Sequence, residues 1–169
     1  MRILCCLDGT NSEQLARMAA LLAGNEPCSC GLLYVIDSEP RKEIERTRER
    51  FLRRPSAPLS HRQDQVWQAE QETAREILSE GLHYLPGAET LLREGRPERE
   101  IVNCAAEWRA DVILILPRIG ASERPAIGPK SVGHTARFVL DHAPCPVFLL
   151  RPFTREQFPI TRPGPLRPE

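Results

Sequence analysis

The sequence predicts an α/β protein: a five-stranded parallel sheet with helices packed on both of its faces. Three observations carry that expectation. Apolar runs of strand length alternate with stretches of helical periodicity along residues 1–151. The run Val112–Leu116 holds no polar residue, which suits a strand covered on both faces. Beyond that run the chain reads as a Gly/Pro loop, a helix and a last strand, Val147–Leu150, opened by Pro144-Cys145-Pro146.

The first strand is Ile3–Leu7, ending at the turn-forming Asp8-Gly9-Thr10-Asn11-Ser12. Glu13 to Ala23 places Leu15, Met18, Ala19 and Leu22 at helical spacing, and Gly24-Asn25 ends that helix. Gly31–Ile36 is the second strand. Residues 39–82 are long and polar. Arg/Glu alternation from Arg41 to Arg54 predicts an exposed helix broken near Pro55 and Pro58. A second helix, from about Arg62 to Leu82, carries Val66, Ala69, Thr73, Ile77 and Leu78 as its apolar stripe. Ala88–Leu92 is the third strand. Pro97 fits the first turn of the next helix, where its missing N–H costs nothing, and Ile101, Val102, Ala105 and Trp108 form the buried face. Val112–Leu116 is the fourth strand, Thr135–His142 a helix, and Val147–Leu150 the fifth strand. Residues 1–151 form one domain. Residues 152–169 hold five prolines and read as a Pro-rich, extended tail.

Composition narrows the function classes. The chain has 169 residues, enough for one domain with a real core, and 23 basic residues balance 23 acidic ones. Nucleic-acid binding needs a basic excess to neutralise phosphates, so this balance argues against it. No apolar run approaches the roughly 20 residues that span a bilayer, and the apolar part of the N-terminus is too short for a signal peptide. No membrane association and a cytoplasmic location are therefore expected. Cys5 and Cys6 should point to opposite faces of the first strand. Cys28-x-Cys30 lacks the two-residue spacing of zinc knuckles and redox dithiols, so reduced structural thiols and no metal are expected. Gly128-Pro129-Lys130-Ser131 is not a phosphate-binding P-loop, because Pro129 interrupts it. There is no Gly-x-Ser-x-Gly elbow, the four histidines are scattered, and no nucleophile–base constellation stands out.

Four stretches together resemble the universal stress protein family. They are the opening ILCCLDGTNSEQLARMAA, the second strand LLYVID, the block GRPEREIVNCAAEWRADVILI, and the closing ARFVLDHAPCPVFLL. The resemblance covers about residues 1–151 and implies a Rossmann-like fold of the adenine nucleotide alpha hydrolase-like kind. It also implies a homodimer whose fifth strands, here Val147, Phe148, Leu149 and Leu150, meet about a two-fold axis. Such an edge is suited to pairing because those four residues carry no charge.

Nucleotide-binding members carry Gly-x2-Gly-x9-Gly-Ser/Thr after the fourth strand. Here the positions fall on Pro117, Gly120 and Gly133, with twelve residues between the glycines and His134 replacing the hydroxyl residue. An alternative alignment keeps nine and ends on Lys130-Ser131, at the cost of three extra residues in the following helix. Pro117 removes one N–H donor from the loop, whereas Arg118, Arg124, Lys130 and His134 make it locally cationic. By the same resemblance, Asp8 faces the nucleotide and the backbone of Val35 meets adenine. Read from local chemistry alone, Asp8 caps its own turn, Val35 is a core valine, and His134 is solvent-facing in a first helical turn. Candidate binding residues are thus Asp8, Val35, Gly120, Gly133 and His134. Two function classes remain. One is a non-enzymatic regulatory or protective module with a degenerate loop and no cofactor. The other is a nucleotide-binding member that senses or slowly hydrolyses ATP, bound weakly.

Overall fold

The computed structural model describes residues 1–40, 43, 60–117 and 132–151, with side chains from residue 64 onward in the helix that begins at Ser60. Gly120, the Arg41–Arg54 stretch apart from Glu43, and the 152–169 tail lie outside the described residues. In chain order the elements are β1 (Arg2–Cys6), α1 (Ser12–Ala23), β2 (Ser29–Asp37), α2 (Ser60–Tyr84), β3 (Glu89–Gly95), α3 (Pro97–Glu107), β4 (Val112–Ile115), α4 (His134–His142) and β5 (Val147–Leu149). The five strands form one sheet in the order β3-β2-β1-β4-β5, and every neighbouring pair is parallel.

Alternation along the central strand builds two cores. Leu4 and Cys6 face one layer with Leu33, Ile113, Ile115, Ile101, Cys104, Ala105, Trp108 and Val139, so α3 and α4 cover that side. Ile3, Cys5 and Leu7 face the other layer with Leu32, Val112, Leu114, Leu15, Ala19 and Leu78, which α1 and α2 cover. Cys5 and Cys6 therefore diverge to opposite faces as a period of two dictates. All four residues of β4 are buried, in keeping with its uninterrupted apolar run.

Two expectations need correction. The buried stripe of α2 starts later than its periodicity predicts: Val66 is 46% exposed and Trp67 45%, and Ala69 and Thr73 are exposed too. Burial begins at Ala74 and continues at Leu78, while Ile77 and Leu82 are half-buried against the same core. The physical reason is length. Twenty-five residues of helix run about 37 Å, further than the strands beneath can cover. The third strand is also displaced, running from Glu89 to Gly95 and including Arg93 and Glu94. It pairs on one side only, with β2, and that pairing continues to Asp37↔Gly95. A one-sided edge tolerates charges that a central strand would reject.

Candidate functional site

A parallel sheet gathers the carboxyl ends of its strands on one rim, and β1 lies at the centre of that rim between β2 and β4. Asp8 follows β1 and is exposed. Its Oδ1 accepts hydrogen bonds from the Thr10 N–H at 2.9 Å and the Thr10 hydroxyl at 3.0 Å. This is the turn-capping role that local chemistry predicts. Asn11, 2% exposed, organises the rest of the turn. Its Nδ2 donates to the Cys6 carbonyl at 3.1 Å, and its Oδ1 accepts from the Asp8 N–H at 3.1 Å. Because that amide is turned back toward β1, Asn11 sits at the N-cap of α1 without a side-chain capping bond.

Val35 lies where β2 outruns β1. Register with β1 ends at Cys6↔Leu33, whereas register with β3 continues to Gly95. The Leu7 N–H donates to the Leu33 carbonyl at 2.8 Å, and the Ser38 N–H donates to the Gly95 carbonyl at 3.1 Å. Backbone groups of successive strand residues alternate sides. Odd positions of this segment therefore address the β1 side and even positions the β3 side. The N–H and C=O of Val35 consequently point past the end of β1, toward the rim, while its side chain packs against the α3/α4 core.

The third component is the start of α4. Gly133 occupies the N-cap at φ 79°, a conformation costly for residues with a Cβ, and has no side chain with which to cap. The leading N–H groups of α4 thus begin without a side-chain partner at their cap, the arrangement that draws anions to helix N-termini. His134, the first residue of α4, is 75% exposed, and its Nε2 lies 3.6 Å from Oε1 of Glu98. Glu98 is 5% exposed and also receives Nε of Arg96 at 2.9 Å. The N-termini of α3 and α4 are joined through this carboxylate. Pro117, after β4, is buried.

Of the residues singled out by sequence, Asp8, Val35, Gly133 and His134 lie on or beside the strand ends of this carboxyl rim. Sequence reasoning misses Asn11 and Glu98. A polar side chain reads as surface when its partner is a backbone carbonyl or lies thirty-six positions away. The only hints are Asn in a capping position and Glu directly after a helix-opening proline. His142, expected at a helix end, has Nδ1 2.9 Å from the Phe138 carbonyl.

Comparison with known proteins agrees with this architecture. A family model described as the universal stress protein family matches residues 1–151. The chain belongs to that family. A curated relative from Thermus aquaticus, a universal stress protein in the QAH/OAS sulfhydrylase 3′ region, is 32% identical over 82 residues, which is 47% of this chain and 57% of that protein. The alignment therefore spans little more than half of that relative. Universal stress protein UspA from Lactobacillus plantarum superposes with a TM-score of 0.65 at 22% identity, covering 89% of this chain and 97% of the other. A universal stress protein from Archaeoglobus fulgidus, solved in complex with dAMP, gives 0.55 at 21% identity over 89% and 98% of the two chains. A family protein from Arabidopsis thaliana with AMP bound gives 0.55 at 13%, covering 92% and 94%. At these identities the solved structures speak for the fold. Among the described residues no helix is long and apolar enough to cross a membrane.

Proposed function

We propose that this protein is a cytoplasmic, non-enzymatic regulatory or protective module of the stress response, and that it binds adenine nucleotide weakly or not at all. The observation that carries the reading is a mismatch within one rim. Main-chain groups suited to a nucleotide stand ready at Val35 and at the head of α4, but the loop meant to close over the phosphates opens on the buried Pro117. That proline withholds a donor where the family's pattern has a glycine. Structural neighbours solved in complex with dAMP and with AMP support an adenine nucleotide as the class of ligand to test. In this reading the domain is residues 1–151 and acts as a homodimer paired along β5. The uncharged β5 edge and the 44% exposure of Phe148 support that assembly.

A second reading, an ATP sensor or slow ATPase, draws on the cationic Arg118, Arg124, Lys130 and His134. Titration calorimetry with MgATP separates the two. The expected dissociation constant is weaker than about 1 μM, which corresponds to about −8 kcal/mol. Submicromolar binding that Asp8→Ala weakens would replace the first reading with the second.

A further inference from the structure

The amino rim of the sheet carries a feature that the crevice leaves unused. Cys28 stands just before β2 and Cys30 within it, and their Sγ atoms lie 4.0 Å apart. Cys28 is exposed and Cys30 half-buried. Register places them at the start of the pairing with β1, beside Arg2↔Ser29 and Ile3↔Cys30, at the opposite end of the strands from Asp8 and Val35.

The separation of the sulfurs decides what this pair can do. A disulfide needs about 2.05 Å between sulfurs, whereas these two are free thiols in contact at 4.0 Å. Between them the Ser29 N–H donates to the Met1 carbonyl at 2.9 Å and holds the start of β2 against β1. Two thiolates on one metal ion, with bonds of ~2.3 Å, hold their sulfurs about 3.8 Å apart at a tetrahedral angle and about 4.6 Å apart in line. With such bonds the observed 4.0 Å corresponds to an angle of about 120° at the metal, and a shift of about 0.6 Å by the exposed Cys28 side chain reaches the in-line arrangement. Among the described residues, no group of three or more His, Cys, Asp or Glu side chains could hold a metal ion, so this pair would act with two protein ligands. Soft thiolates at low coordination favour a soft monovalent cation over zinc, whose structural sites are four-coordinate.

We propose that Cys28 and Cys30 form a two-thiolate site for a soft monovalent metal cation of the Cu(I) class. On loading, each thiol releases its proton to solvent, two sulfur–metal bonds form, and no electron is transferred.

The test is anaerobic titration of the reduced chain against Cu(I) held by bicinchoninate, whose visible absorbance reports the metal withdrawn. The native chain should withdraw about one equivalent, and Cys28→Ser and Cys30→Ser should each bind at least about tenfold more weakly. Cys145→Ser, which alters another half-buried thiol, should match the native chain. Cys28 is exposed, so its serine variant keeps the fold, which circular dichroism verifies. The proposal is overturned if the native chain withdraws no metal, if Cys28→Ser binds as the native chain does, or if Cys145→Ser loses as much. It is equally overturned if metal-free protein in air becomes lighter by two hydrogens at this pair, because the thiols then close on each other.

Discussion

The two edges of the sheet are built on opposite plans. β3 carries Glu89, Arg93 and Glu94 and is tied to the neighbouring helix by side chains. Nε1 of Trp108 donates to Oε2 of Glu89 at 2.8 Å, and Arg93 reaches Glu107 at 2.6 Å. The Arg2 guanidinium lies 4.1 Å above the Trp108 ring and closes the latch from β1. β5 has only Val147, Phe148 and Leu149, with no charge and no latch of that kind among its described contacts. Charges on an edge discourage pairing with another chain, and a bare apolar edge invites it. The difference teaches that one edge is tied down by side chains within the chain, and the other carries no such tie among the described residues.

The largest expected effect comes from breaking the tied edge. Trp108 is 9% exposed and packs in the α3/α4 core, so Trp108→Ala should lower unfolding free energy by about 3–5 kcal/mol. Glu89→Ala removes only the part-buried hydrogen bond and should cost about 1–2 kcal/mol. Urea denaturation of both variants checks the ranking, and a larger loss from Glu89→Ala would show that packing does not dominate this latch.

The centre of the sheet supplies a reference that belongs to neither edge. Burial pushes the Cys5 thiol up to about 12, from the ordinary 9.0, and pushes Cys6 well above its usual range. The unfolded chain releases these protons near pH 9.0 while the folded chain retains them. Stability is therefore intact below that pH and is lost as pH rises toward 12, by ~1.4 kcal/mol per pH unit for each thiol. Melting temperature should fall between about pH 8 and about pH 10.5, and less steeply in Cys5→Ala. An unchanged slope in that variant would take Cys5 out of the account.

The smallest expected change in free energy sharpens the comparison most. Phe148→Lys at β5 should weaken the proposed dimer by at least about tenfold, or ~1.4 kcal/mol, when followed by sedimentation. Leu92→Lys at β3, where Leu92 is 37% exposed, should leave it unchanged. A native chain that sediments as a monomer at about tens of micromolar, where a dimer of about −7 kcal/mol would persist, ends the proposal for β5.

How much of this is legible in the sequence depends on what each element rests on. β1, β2 and β4 are apolar where they are buried, and their residues announce them. The face of α2 does not announce itself, because periodicity reports which side of a helix is apolar and not where the sheet beneath it stops. The end of β3 is hidden for a related reason: Arg93 and Glu94 are strand residues only because β2 continues beside them to Asp37. At the site, the sequence puts Gly133 and His134 at a helix start, which α4 bears out to within one residue. Val35 is reached through family resemblance alone, since nothing in a strand valine advertises its backbone. Asn11 and Glu98 stay invisible because their roles require partners that the fold, and not the local sequence, brings near.

The overhang of β2 beyond β1 has a consequence for how this rim can change over time. The amide and carbonyl of Val35 would be offered in the same order by isoleucine, threonine or any other residue that a strand accepts. A substitution there alters packing against the α3/α4 core and leaves the outward hydrogen-bonding groups as they are. A ligand that bound there would read a difference in length between two strands. Such an edge is insulated from point mutation, and it leaves no motif for a pattern search to find.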